Sequence, residues 1–354
     1  MLLPDDRSRS NCVPPPGRVG QGLEDSNSPD SSSVRPCSNM GPDVAWNSPH
    51  RAWIFVLRCP KPPALSHLQS DINKIEAVSP SPEGSVRAPV KFVRPPVFEV
   101  ACGIHFSSER PLVTAHIGAY WERVRDAYPK AEDAAPLQSV VEQPGLGAMS
   151  VFEFSNLPPL RRAWLFSADR RNLIQLQQDR FIFNWKRESA GDSYPSYAVV
   201  IEQFETQLSD FIVFCNEIGV GGLTIRQFEL AYVNHISASN GLGAAATADT
   251  ILVDHLRSTS AERFLPEPEG FNWATSYALP RDLGRLHITA QSASQLPTQE
   301  RFVRLDLTAR GISTDLSATG RREWFDVAHE WITHGFADVT TPAIHVAEYW
   351  GRTS

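Results

Sequence analysis

The sequence predicts an α+β fold in which two quasi-repeats, each running strand, helix, antiparallel meander and long helix, join into one continuous curved antiparallel sheet with the helices on one face. Three observations carry this reading. Residues 97–106 and 227–236 share the pattern Phe-Glu-(aliphatic)-Ala-x-x-x-His-(apolar). Each twin is followed by short apolar runs with polar connections, the mark of a meander. Each half then closes on a long stretch whose apolar residues recur at helical spacing.

The chain divides at these landmarks into residues 1–90, a first quasi-repeat over 91–222 and a second over 223–354. Residues 1–96 hold 16 of the 28 prolines, with Pro14-Pro15-Pro16 and a serine-rich run over 26–33. Such sequence buries too little apolar area to offset the entropy of ordering, so residues 1–90 are expected to be a disordered or poorly ordered extension.

In the first twin, Phe98, Val100, Cys102, Ile104 and Phe106 alternate with Glu99 and His105, which predicts a half-buried strand. Glu99 and His105 share one side, as do Glu229 and His235 in the second twin, where Asn234 interrupts the apolar face. Six residues of strand span roughly 20 Å, so carboxylate and imidazole cannot touch within one strand. Paired about a pseudo-twofold axis, each glutamate approaches the histidine of the other strand.

Ser107-Ser108-Glu109-Arg110-Pro111 reads as a helix start, followed by Leu112, Ile117, Tyr120 and Val124 at helical spacing. Residues 134–147 read as loop. Strands follow at 151–154, 163–166, 173–177 and 181–185, and the aromatics Trp164, Phe166, Phe181, Phe183 and Trp185 are expected to form core beneath a long helix. That helix opens at Asp192-Ser193-Tyr194-Pro195, carries Val200, Phe204, Leu208, Phe211 and Cys215 on one stripe, and stops at Gly219. The second half repeats the order, with a helix near 249–257, strands at 271–279, 285–290 and 302–308, and a helix over 323–339. Arg180-Phe181-Ile182 echoes Arg301-Phe302-Val303, and Phe-Asn-Trp occurs at 183–185 and at 271–273.

Several strings resemble a sporadically distributed bacterial protein family of unknown function: Pro95 to Val100, the block from Leu173 to Trp185, Tyr194-Pro195-Ser196-Tyr197, Glu229 with Tyr232 to Ile236, Ala328-His329-Glu330, and Trp350-Gly351. The resemblance covers about residues 90–354 and implies no established activity, cofactor or catalytic residue. The order of elements is also similar to TATA-binding-protein-like and helix-grip folds, an analogy of topology that leaves function open.

Five cysteines without paired zinc spacing, no apolar run of membrane-spanning length and no signal-peptide core in the first twenty residues point to a cytoplasmic protein. Net charge is −7; residues 97–354 hold 22 Lys and Arg against 31 Asp and Glu, which disfavours binding to phosphate backbones. His329-Glu330-Trp331-Ile332-Thr333-His334 places its histidines five apart, about 140° around a helix, so they cannot share one metal ion and read as helix-surface residues. No metal site, cofactor or catalytic residue is assigned. Gln175, Gln177, Arg180 and Asn184, with Asn234, Glu99, Glu229 and His235, are the candidate ligand-binding set, because side-chain amides on a concave sheet face offer donors and acceptors to a ligand or a peptide. The leading expectation is a binding or regulatory module with a polar cleft between the repeats, its partner an unidentified small ligand or protein. The alternatives are a hydrolase using a Glu/His pair across that cleft and an interaction component acting through a sheet edge.

Overall fold

The two Phe-Glu segments fold as strands and lie side by side. β1 (Val97–Ser108) and β8 (Leu223–Ser237) pair antiparallel, with Ala101 opposite Ala231, Glu99 opposite Val233 and Gly103 opposite Glu229. The computed structural model describes residues 88–353 apart from 139, 143–150, 153–159, 190, 238–246, 256–262, 267, 296–298 and 347. The expected extension over 1–90 lies outside the described residues save for its last three positions.

Beyond β1 the sheet continues through β7 (Arg180–Lys186), β6 (Asn172–Gln177), β5 (Arg162–Phe166) and β2 (Lys130–Ala134). Beyond β8 it continues through β11 (Glu300–Gly311), β10 (Arg285–Gln295) and β9 (Asn272–Ala278). The order is β2-β5-β6-β7-β1-β8-β11-β10-β9, every neighbouring pair is antiparallel, and the sheet stays open with β2 and β9 at its edges. β3 (Val140–Val141) and β4 (Val151–Phe152) form a separate two-stranded sheet within the region read as loop and first meander strand.

Helices α1 (Thr114–Val124), α2 (Tyr197–Glu217) and α4 (Ala318–Val339) pack on the apolar face. Phe204, Leu208 and Phe211 of α2 are fully buried, and Phe211 stacks on Phe181 of β7 with ring centroids 4.9 Å apart. Trp324 and Phe325 of α4 meet Phe228 of β8 at 5.3 and 5.8 Å, and Phe204 touches Phe325 at 5.1 Å, so the two long helices share one core. Burying each such ring stabilises the fold by about 2–3 kcal/mol.

Some elements depart from the sequence reading for identifiable reasons. The Asp192 carboxylate accepts from the Glu188 and Ser189 amides, closing the preceding loop, so α2 begins at Tyr197 rather than at Ser193. Ser317 caps the Gly320 amide at 3.2 Å and starts α4 more than a turn before Glu323. Of the helix expected over 249–257, the described part is the single turn α3 (Ala248–Ile251), after which Leu252 bridges to Thr340; positions 256 and 257 lie outside the described residues. Trp164 does not lie beneath a helix: alternation in β5 places Leu165 there, while Trp164 bonds Gln175 on the opposite face and Phe166 contacts the Trp164 ring at 6.0 Å. The short echoes fall out of register. Arg180 faces His105 across the ladder, but the residue facing His235 is Arg304, not Arg301, and Phe271-Asn272-Trp273 enters an edge strand whereas Phe183-Asn184-Trp185 lies next to β1.

Candidate functional site

Most of the polar residues picked out by the sequence lie on the sheet face opposite the helices. Asn184 Nδ2 donates to Glu99 Oε1 at 2.5 Å, and Gln175 Nε2 donates to Asn184 Oδ1 at 2.8 Å. Gln175 Oε1 in turn accepts from Arg162 Nη1 at 2.8 Å and from Trp164 Nε1 at 3.1 Å. The result is one hydrogen-bond chain across β5, β6, β7 and β1, its diagonal links set by the register.

Gln177 and Arg180 hold the protein's own backbone. Gln177 accepts from the Leu137 N–H at 2.9 Å and donates to the Leu137 carbonyl at 3.1 Å, and Arg180 Nη2 donates to the Gln138 carbonyl at 3.0 Å. Gln227 in β8 repeats the device, accepting from the Glu142 N–H at 2.7 Å and donating to the Val140 carbonyl at 2.9 Å. Glu142 then pairs with Arg285 at 2.8 Å and His287 at 2.6 Å. Burial alone raises its carboxyl, but these two partners outweigh it and hold the group below its ordinary value. The backbone groups that these side chains hold belong to Leu137, Gln138, Val140 and Glu142 of the same chain.

The twin carboxylates take different partners. Glu229 pairs with Arg310 of β11 at 2.6 Å, and although burial pushes its carboxyl up, Arg310, His105 and Arg180 together hold it below the usual value. Burial raises the Glu99 carboxyl, against the opposing pull of Asn184, Lys186 and Arg304. Glu229 and His105 approach closely enough to shift each other's titration, and no hydrogen bond joins them. His105 is 5% exposed with neither ring nitrogen hydrogen-bonded, and burial together with Arg180 lowers it to about 4 against the pull of Glu229. His235 stacks on Phe98 at 3.9 Å and contacts Phe302 at 4.4 Å, and burial with Arg304 and Arg187 lowers it to about 4. Asn234 belongs elsewhere: from Phe228 onward the even-numbered positions of β8 point toward the helices, and its Nδ2 donates to the Leu305 carbonyl at 3.0 Å.

On that helix side lies a cavity of about 570 Å³ between α2, α4, β8 and residues 90–97. Val90, Phe92, Val97, Leu307, Ile332 and Phe336 are among its apolar walls. Residues 91–94 are held by the end of the chain, with Val93 N–H bonded to the Gly351 carbonyl, Arg94 N–H to the Trp350 carbonyl and Thr353 N–H to the Lys91 carbonyl. Its polar strip begins with the Tyr194 hydroxyl, 2.9 Å from the Tyr232 hydroxyl, which lies 3.1 Å from His329 Nδ1. The Tyr197 ring stacks on the His329 imidazole at 4.0 Å and 7°. Burial raises all three phenols above their ordinary value and lowers His329 to about 4, so each is uncharged near neutral pH.

This cluster was not among the residues selected from sequence, and His329 is not a helix-surface residue: it points from α4 toward α2 and the cavity. His334 Nε2 is also buried. The available signal was Tyr232, a hydroxyl-bearing ring on the strand face it shares with Phe228, Leu230 and Ile236, with the Tyr194-Pro195-Ser196-Tyr197 helix start. Tyr194, Tyr232 and His329 are far apart in the chain and meet in one place. Among the described residues no three His, Cys, Asp or Glu side chains gather as a metal site, and no helix is long and apolar enough to cross a membrane. No protein-family model and no curated protein sequence matches the chain.

Proposed function

We propose that this protein is a binding module whose ligand occupies the cavity between α2, α4 and the central strands. The observation that carries the reading is the lining itself: a space of about 570 Å³ with apolar walls and a short convergent strip of uncharged polar groups, with Lys91, an exposed residue, as the one acidic or basic chain besides His329 on it. Cavities of this size and make-up suit a small, largely apolar, uncharged ligand. The polar sheet face is a weaker candidate because Gln175, Gln177, Arg180, Asn184, Glu99 and Glu229 already bond within the chain. A hydrolase built on the twin strands has less support, since Glu229 is committed to Arg310 and no hydrogen bond links it to His105.

The reading includes a structural duplication of helix-grip-like or TATA-binding-protein-like order, with the cavity where the halves meet. Supporting it, β7, β6 and β5 follow outward from β1 as β11, β10 and β9 do from β8. A twofold axis through the Ala101/Ala231 pair exchanges Glu99 with Glu229 and His105 with His235. A cytoplasmic location and membership of the bacterial family remain part of the proposal; the buried free thiols of Cys102 and Cys215 accord with a reducing compartment.

Native mass spectrometry of the purified full-length protein tests the reading. Wild type is expected to carry a small organic molecule that Thr333→Phe, which fills the cavity from α4, excludes without lowering the melting temperature by more than a few degrees. Retention of the same molecule by that variant would place the site elsewhere.

A further inference from the structure

Resting on the reading of the cavity as the ligand site, we propose that Asn234 selects for ligands bearing a hydroxyl or N–H donor, so that the ligand class is an uncharged, largely apolar molecule with such a donor, an alcohol, phenol or lactam. Asn234 is only 2% exposed, and what it does expose lines the cavity. The Leu305 carbonyl can only accept, so the 3.0 Å bond to it fixes Nδ2 on that side and turns Oδ1 away from it. Among the described residues none donates to Oδ1, which leaves an acceptor with a set direction on a side chain that lines the cavity.

The other buried polar groups impose no such demand. In the Tyr194, Tyr232 and His329 chain each hydroxyl both donates and accepts, and the neutral imidazole has one nitrogen of each kind. Run one way, the chain ends on a free His329 N–H donor and a free Tyr194 oxygen acceptor. Run the other way, it ends on a free Tyr194 O–H and a free imidazole acceptor. The chain therefore adapts to either kind of ligand group, whereas Asn234 Oδ1 can only accept. A ligand lacking a donor strips water from that oxygen and leaves it unsatisfied, the situation in which a polar site rejects an analogue most strongly.

Isothermal titration of the full-length protein with 2-naphthol, 2-methoxynaphthalene and naphthalene separates the possibilities, since the three share one apolar frame and only the first donates. Wild type is expected to bind 2-naphthol roughly tenfold or more tightly than the other two, and Asn234→Leu is expected to bring all three within about twofold. Equal binding of the three by wild type overturns the inference while leaving the cavity as the site. A preference that persists in Asn234→Leu, or that vanishes in Tyr194→Phe while persisting in Asn234→Leu, assigns the selection elsewhere and also overturns it. Should Asn234→Leu fail to fold, Asn234→Ala takes its place, and the wild-type series decides the ligand class without either. No binding of any of the three counts against the cavity reading itself.

Discussion

The hydroxyl of Tyr232, in the central strand β8, lies 3.1 Å from Nδ1 of His329, in the last long helix, and so ties the middle of the sheet to α4 through a buried polar contact. Tyr232 also meets Tyr194 at 2.9 Å, so one hydroxyl serves two partners. Tyr232→Phe is expected to cost about 1–3 kcal/mol, because it leaves two buried groups short of a bond. Tyr194→Phe, at the end of the chain, should cost about 1 kcal/mol or less. Urea denaturation of both variants checks the order; equal losses would show that the hydroxyls do not act as a chain.

The twin glutamates should respond with opposite sign to loss of charge. Glu229 has a depressed folded-state carboxyl, so its stabilising effect is present above its unfolded value and is lost as pH falls through the folded one. Glu229→Gln is expected to destabilise by about 1–3 kcal/mol at pH 7, since Arg310 is then left partly buried without its partner. Glu99 is raised, so its charge opposes folding at neutral pH and that penalty fades as pH falls. Glu99→Gln keeps an acceptor for Asn184 and should be neutral or stabilising by up to about 1 kcal/mol. Melting curves at pH 7 distinguish the two.

His105 supplies a pH prediction. Its folded value of about 4 lies below the ordinary imidazole value, so between the two the unfolded chain binds more protons and stability falls as pH falls. His105→Leu removes this linkage along with two ring nitrogens that have no hydrogen bond. The variant is expected to match or exceed wild-type stability at pH 7 and to lead it by roughly 1–2 kcal/mol more at pH 5. Parallel pH dependences for the two proteins would show the imidazole to be charged or hydrated in the fold.

The segment held by Gln177 and Gln227 should loosen without global unfolding. Gln227→Ala removes both bonds that hold Val140 and Glu142. Amide exchange at Glu142 is expected to accelerate at least tenfold while the amides of β1 and β8 keep their protection. Unchanged exchange at Glu142 would mean that its salt bridges to Arg285 and His287 suffice.

Phe204 and Phe211 are fully buried between α2 and its neighbours, and each should cost about 3–5 kcal/mol when cut to alanine. Chemical denaturation measures this directly, and a loss under 1 kcal/mol would contradict the packing of α2 on β1 and β7.

The sequence by itself determined the α+β class, the two long helices, the open-face polarity of Glu99 and Glu229, and the likeness of the two Phe-Glu strands, because alternation and helical spacing are properties of neighbouring residues. Parity along β8 even put Asn234 on the helix side, against its grouping with Gln175 and Asn184. Only the tertiary structure decided what each polar group meets. That Gln177 clasps Leu137 and Gln227 clasps Val140 and Glu142, that Arg310 forms the salt bridge to Glu229, and that Tyr194, Tyr232 and His329 converge on one cavity depend on side chains brought together from positions tens to more than a hundred residues apart. A single sequence carries no periodic signal for such contacts, since their register is set by strand order and by the way α2 and α4 cross the sheet.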